Sequence, residues 1–568
     1  MTLEERNKII SNDYANALLE HNRFDKPVQQ FKDELLIKVN EKYGVYYFPN
    51  VEAKIPIVTE GGYALVPKLY GLMETTSLDA MGVSRVQNNP FLTLQGEGVL
   101  LGFVDTGIDY QDKAFLREDG TTRIVSIWDQ SIANMEASED TFFYGTEYTR
   151  DQINEALTSE DPYTVVPCKD ENGHGTMLAG AAGGSIDTES DFQGVVPKAE
   201  FVIVKLKQAK QNLKDYFMIR EGVDCYQEDD IMFGIQYLIN VAEKQNRPIT
   251  ICIGLGTSQG AHDGSGILSA YIMYVGTRIG CSIQIAAGNE GNSKKHYYGE
   301  TDAKGSDIVE LNVGENERGF SMELWGYAPA TYSIDILSPT GEYIPRIVAR
   351  LGTNREIEFL YERTTVYVDY LVIEAQTGDP LVLIRFRNPA PGVWKLRIYG
   401  SGAPKIRFHI WLPISNFISE DTYFTNPNPD TTITGPGNTW IAVTVTAYDA
   451  ARNTIYMNSS RGYTKSGNIK PNVAAPGVNV MVPVPGNKYR TASGTSIAAA
   501  FATGVAAMIM EWGIVKGNYN SISSIQMDRF LIRGVTQSSD INYPNNIWGY
   551  GAINIYNTFR SLSGSLEK

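Results

Sequence analysis

Three short motifs hold residue types that together can split an amide bond. VDTGID puts Asp105 at the end of an apolar run, NGHGT puts His174 between two glycines, and SGTSIAAAFATG puts Ser496 at the start of an alanine-rich stretch. A serine hydroxyl is a weak nucleophile until a base removes its proton. Histidine can be that base, held in one tautomer by a carboxylate on its other ring nitrogen, and it can then protonate the leaving amine. A fourth element, AAGNEGN, offers Asn289, whose amide could donate to a tetrahedral oxyanion together with the backbone N–H of Ser496. Taken singly, each has a plain structural reading: an aspartate in a turn, a turn histidine, a serine N-cap and a loop asparagine. All four plain readings would have to hold together, and the chemical one accounts for the set.

The elements that would carry these residues are of two kinds. VLLGFVD, FVIVKLK, ITICIGLG and SIQIAAGN are continuous apolar runs, the pattern of a parallel sheet buried on both faces. Helical periodicity lies between them. In DDIMFGIQYLINVAEK, Ile231, Ile235, Leu238 and Ala242 share a face, and Asp229 and Asp230 complement the helix N-terminus. Alternating strand and helix is the α/β class. Ser496 falls at a helix start, where unpaired N–H groups and the dipole favour developing negative charge.

Over residues 301–413 the period changes to two. Trp394, Leu396 and Ile398 alternate with Lys395 and Arg397, and Ile406, Phe408 and Ile410 continue the pattern, with turns such as SPTGE and NPAPG between runs. This predicts an inserted all-β domain of sandwich or jelly-roll type; TWIAVTVTAYD then resumes the buried-strand pattern. Residues 1–75 hold no catalytic cluster. An amphipathic stretch at 31–39 and strands at 45–48 and 63–66 suggest a small α+β unit. The expected organisation is 1–75, then 76–300 as the first part of the catalytic domain, 301–413 as the insertion and 414–568 as the second part.

The formal net charge of -16 excludes a phosphate-backbone binder, which needs a basic face, so no nucleic-acid partner is expected. Cys168, Cys225, Cys252 and Cys281 form no CxxC pair, which argues against a zinc site. The N-terminal residues lack the basic and apolar regions of a secretory signal, so synthesis in the cytoplasm is expected. No run of 18 apolar residues occurs, so no membrane span is expected.

VDTGID, NGHGT, AAGNEG, KPNVAAPG and GTSIAAA, in the order Asp…His…Ser, resemble the subtilisin-like (S8, subtilase) serine proteases over 76–300 and 414–566. SNDYA at 11–15, GTSQGAHDGSG at 256–266 and the β insertion ending FHIWLP are similar to the clostridial Csp germination proteases. The resemblance implies a protein substrate and no cofactor. It implies that Gly254, Leu255 and Gly256 form the strand that pairs with substrate backbone, and that 1–75 is a prodomain cut near Thr75 and Thr76 and bound as an inhibitor. It also implies a spore-associated role in activating the zymogen of a cortex-lytic enzyme; relatives outside spores share the architecture, which leaves a general protein-degrading subtilase as the alternative. The Csp group includes members with damaged triads that serve as pseudoproteases, whereas all three triad residues are present here. Subtilases often hold structural calcium; Asp187, Glu189 and Asp191 follow His174, but a solvated acidic loop explains them equally well and no metal is assigned. Ile497 and Met177 stand where the family usually has Met and His, a longer 207–228 segment borders the cleft, and His262 is read as a loop-structuring residue.

Overall fold

The computed structural model describes residues 1–20, 35–49, 63–72, 79–133, 144–303, 305–352 and 354–563. Its central sheet has nine strands. From one edge they run Thr454–Ile455, Val443–Asp449, Cys281–Ala286, Ile249–Ile253, Leu100–Asp105, Glu200–Lys205, Ile124–Asp129 and Thr146–Thr149, with Val473–Pro476 also pairing to Val443–Asp449. The interior pairings are parallel, and antiparallel strands close the two edges. Alternate residues of one strand serve two cores. Leu101 and Phe103 pack with the helices His174–Gly183 and Thr495–Met510, while Leu100 and Val104 pack under the helix Glu228–Gln245. Burial on both faces is why these strands read as unbroken apolar runs.

The helix from Thr495, counted to Val515, is long and apolar enough to cross a membrane by length and composition, although no unbroken run of 18 apolar residues occurs. Of its most apolar 18-residue window 89% is buried within the protein, where the helix packs against both the sheet and the His174 helix.

Two antiparallel sheets follow the strand Cys281–Ala286. The six-stranded sheet begins with His296–Asp302, and the five-stranded one ends with Tyr423–Phe424. Their inner faces share one core, with Val309, Ile334, Leu396 and Ile398 on one side and Phe320, Met322, Ile384 and Phe408 on the other. The period-two pattern is kept in Gly392–Ser401, where Trp394, Leu396 and Ile398 are buried between exposed neighbours.

The N-terminal residues form a capped helix, Leu3–Ile10, and an antiparallel sheet of Tyr14–Glu20, Tyr43–Pro49 and Leu35–Lys38. The strand expected at 45–48 is present. Of the amphipathic stretch at 31–39, residues 35–38 are strand and 31–34 lie outside the described residues. The strand expected at 63–66 is instead a buried 3-10 turn, Tyr63–Leu65. Its carbonyls are satisfied locally: Lys68 Nζ donates to the oxygens of Tyr63 at 3.1 Å and Val66 at 2.7 Å. A short apolar run followed by Pro67 does not distinguish these outcomes from periodicity alone.

Candidate active site

Asp105 is the last residue of the central strand Leu100–Asp105. Its Oδ1 lies 2.7 Å from His174 Nδ1, and it accepts from the Thr106 N–H at 2.8 Å. His174 opens its helix, and its Nε2 stands 3.3 Å from Ser496 Oγ. That spacing allows the Ser496 hydroxyl to pass its proton to the ring while Asp105 holds the Nδ1–H tautomer, and such contacts tighten when substrate binds. Ser496 is not the N-cap of its helix. Gly494 occupies that position, and Ser496 sits one residue inside the first turn, where its N–H has no helical acceptor.

Asn289 leaves the sheet just beyond Cys281–Ala286. Its Oδ1 accepts from the Thr495 N–H and the Thr495 hydroxyl, both at 3.1 Å, and Thr495 Oγ1 accepts from the Gly288 N–H at 3.1 Å. With the amide oxygen engaged by Thr495, the residue before Ser496, the Nδ2 hydrogens are not the side of the amide turned to Thr495, the arrangement an oxyanion donor needs. Thr495 was not singled out in the sequence, where it reads as an ordinary helix residue.

A second residue outside the sequence reading is Asp170. Its buried carboxylate accepts from Thr106 Oγ1 and Thr176 Oγ1 at 2.7 Å each, from the Gly173 N–H at 2.8 Å and from the Thr176 N–H at 2.9 Å. Thr106 Oγ1 in turn accepts from the Gly175 N–H at 2.9 Å. The turn after Asp105 and the turn before His174 are therefore held by one carboxylate. Gly175 is required there, because a Cβ would stand 2.1 Å from the Gly107 carbonyl oxygen.

Gly254 passes beside the triad: a Cβ at 254 would come within 3.1 Å of His174 Cε1 and 3.2 Å of Ser496 Cβ. Leu255–Gly256 is a short strand that pairs antiparallel with Leu69–Leu72, which also pairs with Tyr226–Gln227. The Leu255 side chain is fully buried in the core that also holds Leu100 and Val104. Thr75 and Thr76 lie outside the described residues, and the described chain before them ends at Leu72, opposite Leu255. Ser496 is fully buried, in contact distance of the strand that carries Gly254.

The 207–228 segment reaches the turn before His174. A pocket of about 380 Å³ is lined by Arg220, Val223 and Asp224 together with Asn172, Ser415 and Asn416, and Asn172 Nδ2 donates to Asp224 at 2.9 Å. Asp229 and Asp230, expected as dipole-complementing residues, do lie in the first turn of their helix but are fully buried. Asp230 binds Lys207 and Tyr144, Asp229 binds Asn16, and burial raises the Asp230 pKa to about 6. Asp187 is engaged by Lys113 at 2.7 Å and the Tyr489 hydroxyl at 2.9 Å, chiefly the lysine bond holding its pKa low. His262 bonds to loop carbonyls rather than to the triad.

A sequence profile of the subtilase family matches residues 96–316 and 420–551. The chain belongs to the subtilase family of serine endopeptidases. Among solved structures, this subtilase is similar to the CspB protease of Clostridium perfringens, with a TM-score of 0.76 and 30% identity over 85% of this chain and 98% of that one. Among curated proteins it is 31% identical to serine protease AprX of Bacillus subtilis over 23% of this chain and 33% of that protein. It is also 31% identical to bacillopeptidase F of the same organism over 19% and 8%. The aligned stretches thus span a third or less of those two curated relatives.

Proposed function

We propose that this subtilase is an endopeptidase that matures itself and then cuts protein substrates through an acyl-enzyme on Ser496. The observation that carries the proposal is the continuous chain Asp105–His174–Ser496, 2.7 and 3.3 Å, with the amide of Asn289 oriented beside it. His174 takes the hydroxyl proton as Ser496 attacks, Asn289 Nδ2 and the Ser496 N–H receive the oxyanion, and the leaving amine takes the proton back. Water then repeats the sequence on the ester.

Residues 1–75 act in this reading as a prodomain whose last strand lies product-like in the cleft, pairing with Leu255–Gly256 by β-augmentation. The cut falls within 72–77, at Thr75–Thr76. The segment 301–413 is a jelly-roll module, and similarity to the CspB protease supports a spore-associated role in which the substrate is the zymogen of a cortex-lytic enzyme. N-terminal sequencing of the purified chain beside Ser496→Ala tests maturation. A new N-terminus within 73–78 in the wild type alone is expected; an intact Met1 in both contradicts self-cleavage. Incubating the matured chain with a cortex-lytic zymogen tests the substrate, and an uncut zymogen would remove the germination role.

A further inference from the structure

An acyl chain on Ser496 that pairs with Leu255–Gly256 places the side chain of its last residue between two walls. One is 254–257. The other is built from Gly288 and the segment 433–435: a Cβ on Gly288 would lie 2.8 Å from Thr434 Oγ1, and Thr434 donates its N–H to the Ala287 carbonyl at 3.0 Å. The walls meet where Thr257 and Gly435 exchange two backbone hydrogen bonds of 3.0 and 2.9 Å.

Behind this junction stands His262, buried, on a left-handed backbone with φ 53° that turns its ring inward. Its Nδ1 lies 2.7 Å from the carbonyl oxygen of Ile433 and its Nε2 lies 3.1 Å from that of Ser258. The ring is stacked on Trp411, with centroids 4.1 Å apart and planes at 8°. Trp411 ends a strand of the antiparallel part, and its indole N–H donates to Thr431 at 3.0 Å, two residues before Ile433. Burial pushes the His262 pKa down to about 4, so the ring is neutral at neutral pH and has one N–H to give. The shorter contact, to Ile433, crosses from one wall to the other.

Resting on the endopeptidase reading, we propose that His262 is a positioning residue for the substrate residue on the N-terminal side of the scissile bond. It lies on the loop that continues the 254–257 wall, ties that loop to the 433–435 wall through one hydrogen bond to Ile433 and, through Trp411, seats both on the antiparallel part. It touches neither the triad nor the substrate, so its loss acts through the width of the pocket.

The test uses the purified, matured chain and peptides that differ only at that residue, from alanine to leucine and phenylalanine. Rates are normalised to the amount of Ser496 labelled by a fluorophosphonate. For His262→Ala, the kcat/KM ratio of large to small residue is expected to shift about five-fold, the scale of one buried hydrogen bond. The shift should be carried by KM, with kcat within about two-fold of wild type. His262→Gln, whose amide can still donate to Ile433, should keep the wild-type ratio. If His262→Ala fails to fold, His262→Leu replaces it, with Leu shifting the ratio and Gln keeping it. Equal ratios in the apolar and Gln variants, or a uniform loss of kcat for every peptide, overturn the proposal. Absence of Ser496 labelling in the wild type would instead count against the endopeptidase reading itself.

Discussion

Among the described residues two places bury histidine, and they differ in what meets the ring nitrogens. At the cleft, His174 has the Asp105 carboxylate on Nδ1 and the Ser496 hydroxyl on Nε2. In the antiparallel part, His296 and His409 share a hydrogen bond of 2.9 Å, and the outer nitrogens meet the Asn428 carbonyl and the Tyr327 hydroxyl. Trp411 lies stacked with these two rings and with His262. Among the described residues no carboxylate is a hydrogen-bond partner of these three rings, and burial holds their pKa values down, to about 4 for His262 and about 3 for His296. A histidine between an acid and a hydroxyl is built to change its protonation during a reaction. A histidine between carbonyls, hydroxyls and other rings is built not to, and serves as a strut.

The comparison breaks most sharply at the triad. Ser496→Ala or His174→Ala should lower kcat by about 10⁶-fold, the scale known for these substitutions in subtilisin, while His409→Phe should leave kcat per active site within about three-fold. Steady-state rates on a peptide substrate decide this. Asn289→Ala should cost about 10²–10³-fold in kcat with KM little changed, again the scale known for the oxyanion asparagine of subtilisin. Thr495→Val should cost about ten-fold, since it removes one of the two donors that orient the Asn289 amide.

Asp170→Asn leaves two of four donors facing an amide N–H₂. It should destabilise the chain by about 2–4 kcal/mol, read as the shift in denaturant midpoint. The smallest effect belongs to the ring stack. The folded pKa values of His262 and His296 lie below the unfolded value of about 6.5. The unfolded chain therefore binds more protons as pH falls, and stability present above pH 6.5 is lost as pH drops toward 4. Between pH 7 and 5 each ring should contribute roughly 2 kcal/mol of that loss. Urea titrations at the two pH values should show a smaller loss in His296→Phe than in wild type; an equal loss would mean the stack titrates like exposed histidine.

The central strands and the candidate triad were legible because burial on both faces leaves an unmistakable apolar run, one of which ends on Asp105, and because the His174 and Ser496 motifs each open a helix of small residues. The second layer was not. Asp170 stands beside Glu171 in KDENGHGT, and nothing in composition says which carboxylate turns inward; Asp170 does, while the Glu171 side chain is largely exposed and pairs with Lys205 at 2.9 Å. Thr495 precedes the nucleophile and reads as a helix residue until the Asn289 loop is folded against it. The histidine stack draws on positions 262, 296 and 409, which strand register brings together, with His296 opposite Trp411 and His409 opposite Tyr298. In FHIW the alternation was visible: Phe408 and Ile410 face the β core, which leaves His409 and Trp411 on the other face, where the 256–266 loop meets them.

The account rests on Ser496 being a nucleophile activated by His174. Intact-mass analysis after treatment with a fluorophosphonate tests this directly. The account predicts one adduct per wild-type chain, mapped to Ser496, with no adduct on Ser496→Ala and labelling slowed by at least about 10³-fold in His174→Ala. No adduct on the wild-type chain, or the same adduct on Ser496→Ala, would contradict it.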